Sequence, residues 1–266
     1  MFNQIHNCDC VEGMKQLEDC SIDLTVTSPP YDNLRKYNGF SWDFEAVAKE
    51  LYRVTKEGGV VVWVVGDATI DGSETGTSFK QALYFMECGF NLHDTMIYQK
   101  ETPTWNITSK RYRQWIEYMF VFSKGKPKTF NPIEDLKVKN MSPRACKSNR
   151  NGNAHYELYV PKKEYTTRGN IWRYAVGSGC TTDKIAYQHP AIFPEKLVYD
   201  HIISWSNEGD VVLDPFMGSG TTAKVALETS RKFVGFEISK EYCDIANERI
   251  KDIPKETLIS LFCLDK

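Results

Sequence analysis

Two short runs in this 266-residue sequence place residue types in an order that can do chemistry. The first is Val211-Val212-Leu213-Asp214-Pro215-Phe216-Met217-Gly218-Ser219-Gly220-Thr221-Thr222. An apolar strand ends at a carboxylate, a turn with two glycines follows, and two threonines open a helix. Gly218 and Gly220 let the backbone turn tightly and come close to a ligand. Thr221 and Thr222 suit a helix N-terminus, whose unpaired N–H groups face a bound molecule. The next strand, Phe233-Val234-Gly235-Phe236-Glu237, ends in a second carboxylate about twenty residues on, where an acid can accept hydrogen bonds from two ribose hydroxyls. Thr222-Ala223 stand where a dinucleotide motif would carry its third glycine, which weighs against a nicotinamide site.

The second run is Thr27-Ser28-Pro29-Pro30-Tyr31, at the end of another strand. Paired prolines fix the backbone and remove their own N–H donors, leaving carbonyls to point into a pocket. Ser28 and the Pro29 carbonyl can hydrogen-bond an exocyclic amine, and Tyr31 offers a face for stacking. By itself the run reads equally well as a proline-rich turn that closes a strand.

Both runs need elements to hold them. Residues 21–27 alternate into a short strand that Ser28-Pro29-Pro30-Tyr31 must break. Phe44, Val47, Ala48, Leu51 and Tyr52 mark one face of a helix, which Glu57-Gly58-Gly59 is expected to end. Residues 60–65 then read as a strand buried on both faces. A helix is expected over 79–88, with strands over 90–99 and 118–123. In the C-terminal third, helices over 195–205, 221–229 and 240–250 alternate with strands over 211–213 and 233–237. Strands separated by helices of this length predict an α/β fold, a Rossmann-like doubly wound, mostly parallel sheet.

The middle of the chain differs. Over residues 124–173 the periodic signals fade while twelve basic residues face four acidic ones, a surplus of eight in a chain of formal net charge −2. The remainder is therefore acidic. Tyr156, Tyr159, Tyr165, Trp172 and Tyr174 are interleaved with these charges. The separation suggests a polyanion-facing insertion on an acidic catalytic body, where a solvated loop is the plainer alternative. The expected organisation is 1–123 and 171–266 as two halves of one catalytic domain, with 124–170 inserted. No apolar run is long enough for a membrane helix, and the first residues show no secretory pattern. The eight cysteines include no CxxC pair, so free thiols in a cytoplasmic protein and no metal site are expected.

The first run resembles the S-adenosylmethionine motif of the amino-methyltransferases that act on DNA, and Ser28-Pro29-Pro30-Tyr31 resembles their catalytic loop. The likeness extends to Phe236-Glu237, to His189-Pro190-Ala191-Ile192-Phe193-Pro194-Glu195-Lys196-Leu197, and to Asn7-Cys8-Asp9-Cys10. It covers nearly all of the chain outside 124–170. It implies a class I methyltransferase with S-adenosyl-L-methionine held by Asp9, Phe193, Pro194, Asp214, Pro215, Phe216, Gly218, Ser219, Gly220, Thr221, Thr222 and Glu237. Asp9 would serve the adenine ring, Glu237 the ribose, and Phe193 and Pro194 the methionine end. Ser28, Pro29, Pro30 and Tyr31 would be catalytic. Trp105, in Pro103-Thr104-Trp105-Asn106, reads either as an opposing wall for the base or, at least as well, as a core residue.

The order of motifs, catalytic loop before cofactor loop, resembles the permuted β group, in which target recognition lies between the two. The insertion is then the recognition region for double-stranded DNA, with Lys137, Lys139, Arg144, Lys147, Arg150, Lys162, Lys163 and Arg168 as candidate contacts. A base inside a duplex cannot reach the loop, so it must flip out. No cysteine follows a proline, which argues against a nucleophile for carbon methylation. Ser before Pro-Pro-Tyr is more usual in the cytosine-N4 enzymes and Asp in the adenine-N6 enzymes, so cytosine is the favoured target and adenine the alternative. Methylation of RNA or of a protein glutamine, and a nucleic-acid-binding module with a vestigial pocket, are more distant readings. The resemblance also implies a restriction-modification setting, with a cognate restriction endonuclease as a candidate partner and a monomer or homodimer as the enzyme.

Overall fold

The computed structural model describes residues 1–30, 42–104, 110–139, 141–150, 153–160, 162–181 and 183–253. From the N-terminus these form β1 (Gln4–His6), α1 (Cys10–Met14), β2 (Ile22–Thr27), α2 (Phe44–Val54) and β3 (Thr55–Val65). The hairpin β4 (Thr69–Ile70) and β5 (Ser73–Glu74) leads to α3 (Thr77–Glu87), β6 (Asn91–Thr104) and β7 (Gln114–Ser123). Four short strands follow, β8 (Glu134–Lys137), β9 (Arg144–Arg150), β10 (Asn153–Tyr159) and β11 (Tyr165–Thr167). The chain then continues through β12 (Ile171–Tyr174), α4 (Glu195–Trp205), β13 (Val211–Asp214), α5 (Thr221–Glu228), β14 (Lys232–Phe236) and α6 (Lys240–Ile250).

Two units emerge: Met1–Asn131 together with the chain from Ile171 onward, and Pro132–Asn170 between them. In the larger unit, β1-β14-β13-β2-β3-β7-β6-β12 form one eight-stranded sheet. The run from β1 to β3 is parallel, β7 is antiparallel to both β3 and β6, and β12 is parallel to β6. This is the expected doubly wound α/β architecture. Val61, Trp63 and Val65 of β3 pack with Val47 and Leu51 of α2 and Phe85 of α3 in one core. Alternation turns Val60, Val62 and Val64 to the opposite face, where α4 lies against β2 and α5 against β13 and β14. Burial on both faces explains why residues 60–65 of β3 are apolar at every position.

Two expectations are corrected. Helix α2 stops at Val54, before Glu57-Gly58-Gly59, and β3 runs straight through the glycines. Their backbone groups have partners elsewhere: Gly58 N–H donates to the Lys124 carbonyl at 2.7 Å, and the Gly59 carbonyl accepts from Lys124 N–H at 3.1 Å. The same pairing, with Asn131 N–H on the Ser204 carbonyl at 2.8 Å, keeps the chain after β7 in the larger unit, so the division falls after Asn131 rather than after Ser123. The stretch where periodicity fades contains strands. Residues of β8 and β11 are exposed throughout, so no alternation of apolar residues marks them; they pair only with each other, as β9 does with β10.

Candidate active site

A cavity of about 580 Å³ opens in the larger unit at the C-terminal ends of β2, β13 and β14. The volume suits a small-molecule site, roughly 300–1,000 Å³, and the carboxyl ends of parallel strands are where α/β sheets bind ligands. Strand β2 delivers Ser28, Pro29 and Pro30 to the wall, β13 delivers Asp214 through Ser219, and β14 delivers Phe236 through Ser239.

The glycine turn is held from both sides. Gly218 and Gly220 adopt φ of +51° and +82°. Gly220 stands at the N-cap of α5, and a Cβ there would come within 2.7 Å of Ala246. Glu237 grips the turn from the neighbouring strand: its carboxylate accepts from Gly218 N–H and Ser239 N–H, each at 2.8 Å. Asp214 is fully enclosed. Its carboxylate accepts from the Thr27 hydroxyl at 2.6 Å, the Thr222 hydroxyl at 2.7 Å and Phe216 N–H at 3.0 Å. Thr27 immediately precedes Ser28, so this bond ties the strand bearing the proline loop to the strand bearing the glycine turn. Burial pushes the Asp214 carboxyl above its ordinary range while the three donors pull it back. Burial also raises the Glu237 carboxyl, against its two backbone N–H partners.

Beneath the turn lies a charged network that the sequence motifs did not reveal. The Arg249 side chain on α6 is fully buried. It donates to the Ser219 carbonyl at 2.6 Å, the Thr221 hydroxyl at 3.1 Å, Glu195 at 2.7 Å and Asp183 at 3.1 Å. Lys224 of α5 reaches the same two acids, each at 2.9 Å. A sequence signal existed: Arg249 falls on the buried stripe Tyr242, Ile245, Ala246 and Ile250 of α6, where a charge needs partners.

Most of the residues expected at the cofactor come together here. Asp9, Phe193, Pro194, Asp214, Pro215, Phe216, Gly218, Ser219, Thr221 and Glu237 line the same cavity as Ser28, Pro29 and Pro30. Asp9 also caps α1, accepting from Val11 N–H at 2.9 Å and Glu12 N–H at 3.1 Å. Gly220 and Thr222 do not line the cavity: Gly220 packs on Ala246 and the Thr222 hydroxyl turns to Asp214. Tyr31 and Trp105 lie outside the described residues. Trp42, unremarked in the sequence, lines the wall with its ring 4.9 Å from that of Phe216. Tyr98, Lys100, Thr102 and Glu117 form a polar wall on β6 and β7 that no motif indicated.

The donor set fits S-adenosylmethionine, the cofactor that the resemblance implies. Glu237 and Asp9 supply carboxylate acceptors beside the apolar faces of Phe216 and Ile238. Gly218 leaves open a place where a Cβ would press on His189 at 3.1 Å.

The smaller unit carries the expected basic residues. Lys139 and Lys162 are exposed, and Arg144, Lys147 and Arg150 lie on β9. Lys137 faces Glu164 at 3.2 Å, Lys163 faces Glu134 at 2.7 Å, and the Arg168 Nε is 2.9 Å from Asp135. Part of the charge surplus is thus balanced inside the unit.

Comparison with known proteins agrees with this geometry. A family model described as DNA methylase matches residues 22–248. The orphan methyltransferase M.BamHII of Bacillus amyloliquefaciens is 61% identical over 253 residues, covering 90% of this chain and 92% of that protein. The type II methyltransferase M.BglII of Bacillus subtilis is 29% identical, covering 96% and 71%. Among solved structures, the cytosine-N4-specific PvuII DNA methyltransferase superposes with a TM-score of 0.69 at 22% identity, covering 94% of this chain and 88% of that one. The M1.HpyAVI–SAM complex superposes with a TM-score of 0.61 at 24% identity, covering 92% and 98%. The chain belongs to the N6/N4 DNA methylase family and is an S-adenosylmethionine-dependent DNA amino-methyltransferase.

Proposed function

We propose that this enzyme methylates the exocyclic amine of a base flipped out of duplex DNA, and that the base is cytosine, modified at N4. One observation carries the chemistry: Ser28, Pro29 and Pro30 share a cavity with the glycine turn and Glu237, joined through the Thr27–Asp214 hydrogen bond. The choice of cytosine rests on Ser28 before the paired prolines, as in the cytosine-N4 enzymes that the loop resembles. When bound, S-adenosylmethionine supplies an electrophilic methyl on a sulfonium. Glu237 would accept from its ribose hydroxyls, Asp9 from its adenine amine, and Phe193 and Pro194 would border its methionine end. An exocyclic amine is conjugated with its ring and is a poor nucleophile. Hydrogen bonds from the amine to Ser28 Oγ and the Pro29 carbonyl would turn its lone pair toward the methyl, so that direct transfer rests on positioning and electrostatics. No protein nucleophile is required.

The smaller unit, residues 132–170, is read as the part that meets DNA, on its inserted position and on the exposed Lys139 and Lys162. Paired Lys137, Lys163 and Arg168 would exchange carboxylate for phosphate on binding, with Arg144, Lys147 and Arg150 as further contacts on β9. Among the described residues no helix is long and apolar enough to cross a membrane. The 61%-identical relative is named an orphan methyltransferase, which supports a reading without a cognate restriction endonuclease.

Digesting DNA modified by the enzyme to nucleosides and resolving them by mass spectrometry tests the proposal. N4-methylcytosine is expected; N6-methyladenine alone would overturn the choice of base and leave the chemistry of the loop standing.

A further inference from the structure

The cavity has two chemically different ends, and the strand order separates them. β14 and β13, which carry Glu237 and the glycine turn, lie on one side of β2, and β7 and β6 lie on the other, beyond β3. Ser28, Pro29 and Pro30 stand at the tip of β2, between the two. On the far side, Tyr98, Lys100 and Thr102 alternate along β6 and line the cavity with Glu117 of β7. Lys100 Nζ is 2.7 Å from Glu117 Oε1, with the side chains 16% and 17% exposed. Such a pair is a weak source of stability, because desolvation offsets the attraction. On the wall of a ligand cavity it offers what an apolar pair could not, an ammonium with three N–H donors oriented by a carboxylate.

We infer that Lys100, oriented by Glu117, is a specificity-determining residue that donates to the ring edge of the target base and selects cytosine over adenine. The inference rests on the proposed placement of the amine at Ser28 and Pro29. Along the edge beginning at its amine, cytosine presents two acceptors, N3 and then O2. Adenine presents N1 and then a C–H. A cytosine therefore gives the Lys100 ammonium an acceptor where adenine gives it carbon-bound hydrogen. A site that hydrogen-bonds its substrate rejects an analogue lacking the partner far more strongly than apolar fit alone does.

The test begins with the wild-type enzyme on unmethylated genomic DNA, to identify the modified nucleoside and its sequence context. Duplexes carrying that site then give kcat/KM for Lys100→Met, Lys100→Arg and Glu117→Gln, with S-adenosylmethionine affinity measured by calorimetry. Lys100→Met should lose roughly 10- to 100-fold in kcat/KM, the equivalent of one hydrogen bond from a charged donor. Its cofactor affinity should stay unchanged, and Lys100→Arg should recover most of the loss. A duplex with 2-thiocytosine at the target, a weaker acceptor in place of O2, should slow the wild type roughly tenfold or more and Lys100→Met little further. The thio arm reads on the wild type alone, so it can overturn the inference even if the variants do not fold. N4-methylcytosine as product with kcat/KM insensitive to Lys100→Met, or a wild type indifferent to 2-thiocytosine, would overturn this inference and leave the cytosine reading intact. N6-methyladenine as the product overturns both.

Discussion

Replacing Arg249 with Met removes one guanidinium and leaves several groups without their partner. The side chain is fully buried and touches the Ser219 carbonyl, the Thr221 hydroxyl, Glu195 and Asp183. Removing one member of a buried ion pair typically costs about 3–5 kcal/mol, because the remaining charge is stranded. Here Lys224 stays 2.9 Å from both acids, so the lower end, about 3 kcal/mol, applies to the charge. At roughly 2–4 °C per kcal/mol for a domain of this size, the melting temperature should fall by about 6–12 °C. Ser219 and Thr221 line the cavity, so loosening their anchor should also weaken S-adenosylmethionine binding by roughly tenfold, equivalent to about 1.4 kcal/mol. Arg249→Lys keeps the charge and loses the planar fork, so it should fall between the two proteins. Urea unfolding followed by tryptophan fluorescence gives the stability, and titration calorimetry gives the affinity. An Arg249→Met enzyme within about 1 kcal/mol of the wild type and with unchanged cofactor affinity would show that the network does not hold the turn.

Four further outcomes are expected. His201 is buried against the Trp172 ring and the Met119 sulfur, and burial lowers its pKa from 6.5 to about 3. The unfolded chain therefore binds a proton that the folded chain refuses, and stability should fall as pH drops from about 6.5 toward 3, by up to about 1.4 kcal/mol per unit. His201→Phe should flatten that limb in pH-dependent unfolding, and an unaltered limb would point to other groups. Asp214 has the opposite sign: its folded pKa is raised, so ionisation opposes folding as pH climbs above 3.8. Asp214→Asn should gain stability relative to the wild type across that rise, whereas Thr27→Val, which removes the bond to the proline loop, should cost about 1 kcal/mol and lower kcat more than cofactor affinity. Finally, Gly220→Ala should cost about 1–2 kcal/mol for its left-handed backbone plus a packing penalty against Ala246, 2.7 Å away. Gly72→Ala, at a φ of +81° in open space, should show the backbone part alone, and equal losses at the two sites would remove the packing argument.

What the sequence determined by itself is what local chemistry specifies. The apolar run before Asp214, the paired glycines and the paired prolines each constrain the few residues around them, so the glycine turn and the loop after β2 were legible without coordinates. The spans of α4 and α6 could likewise be read from periodicity. Periodicity failed where strands bury nothing: β8 and β11 are joined by backbone hydrogen bonds and exposed ion pairs, which leave no apolar alternation in the sequence. It also failed where partners lie far apart in the chain. Asp214, expected at the cofactor, also accepts from the Thr27 hydroxyl, from 187 residues away. The Arg249 network arises where α4, α5 and α6 pack together, and the Lys100–Glu117 pair where β6 lies beside β7. These placements are set by strand order, and strand order follows from which apolar faces can be buried together over the whole fold. Periodicity along one segment carries no record of that choice, so the tertiary structure alone decided which charges share the cavity.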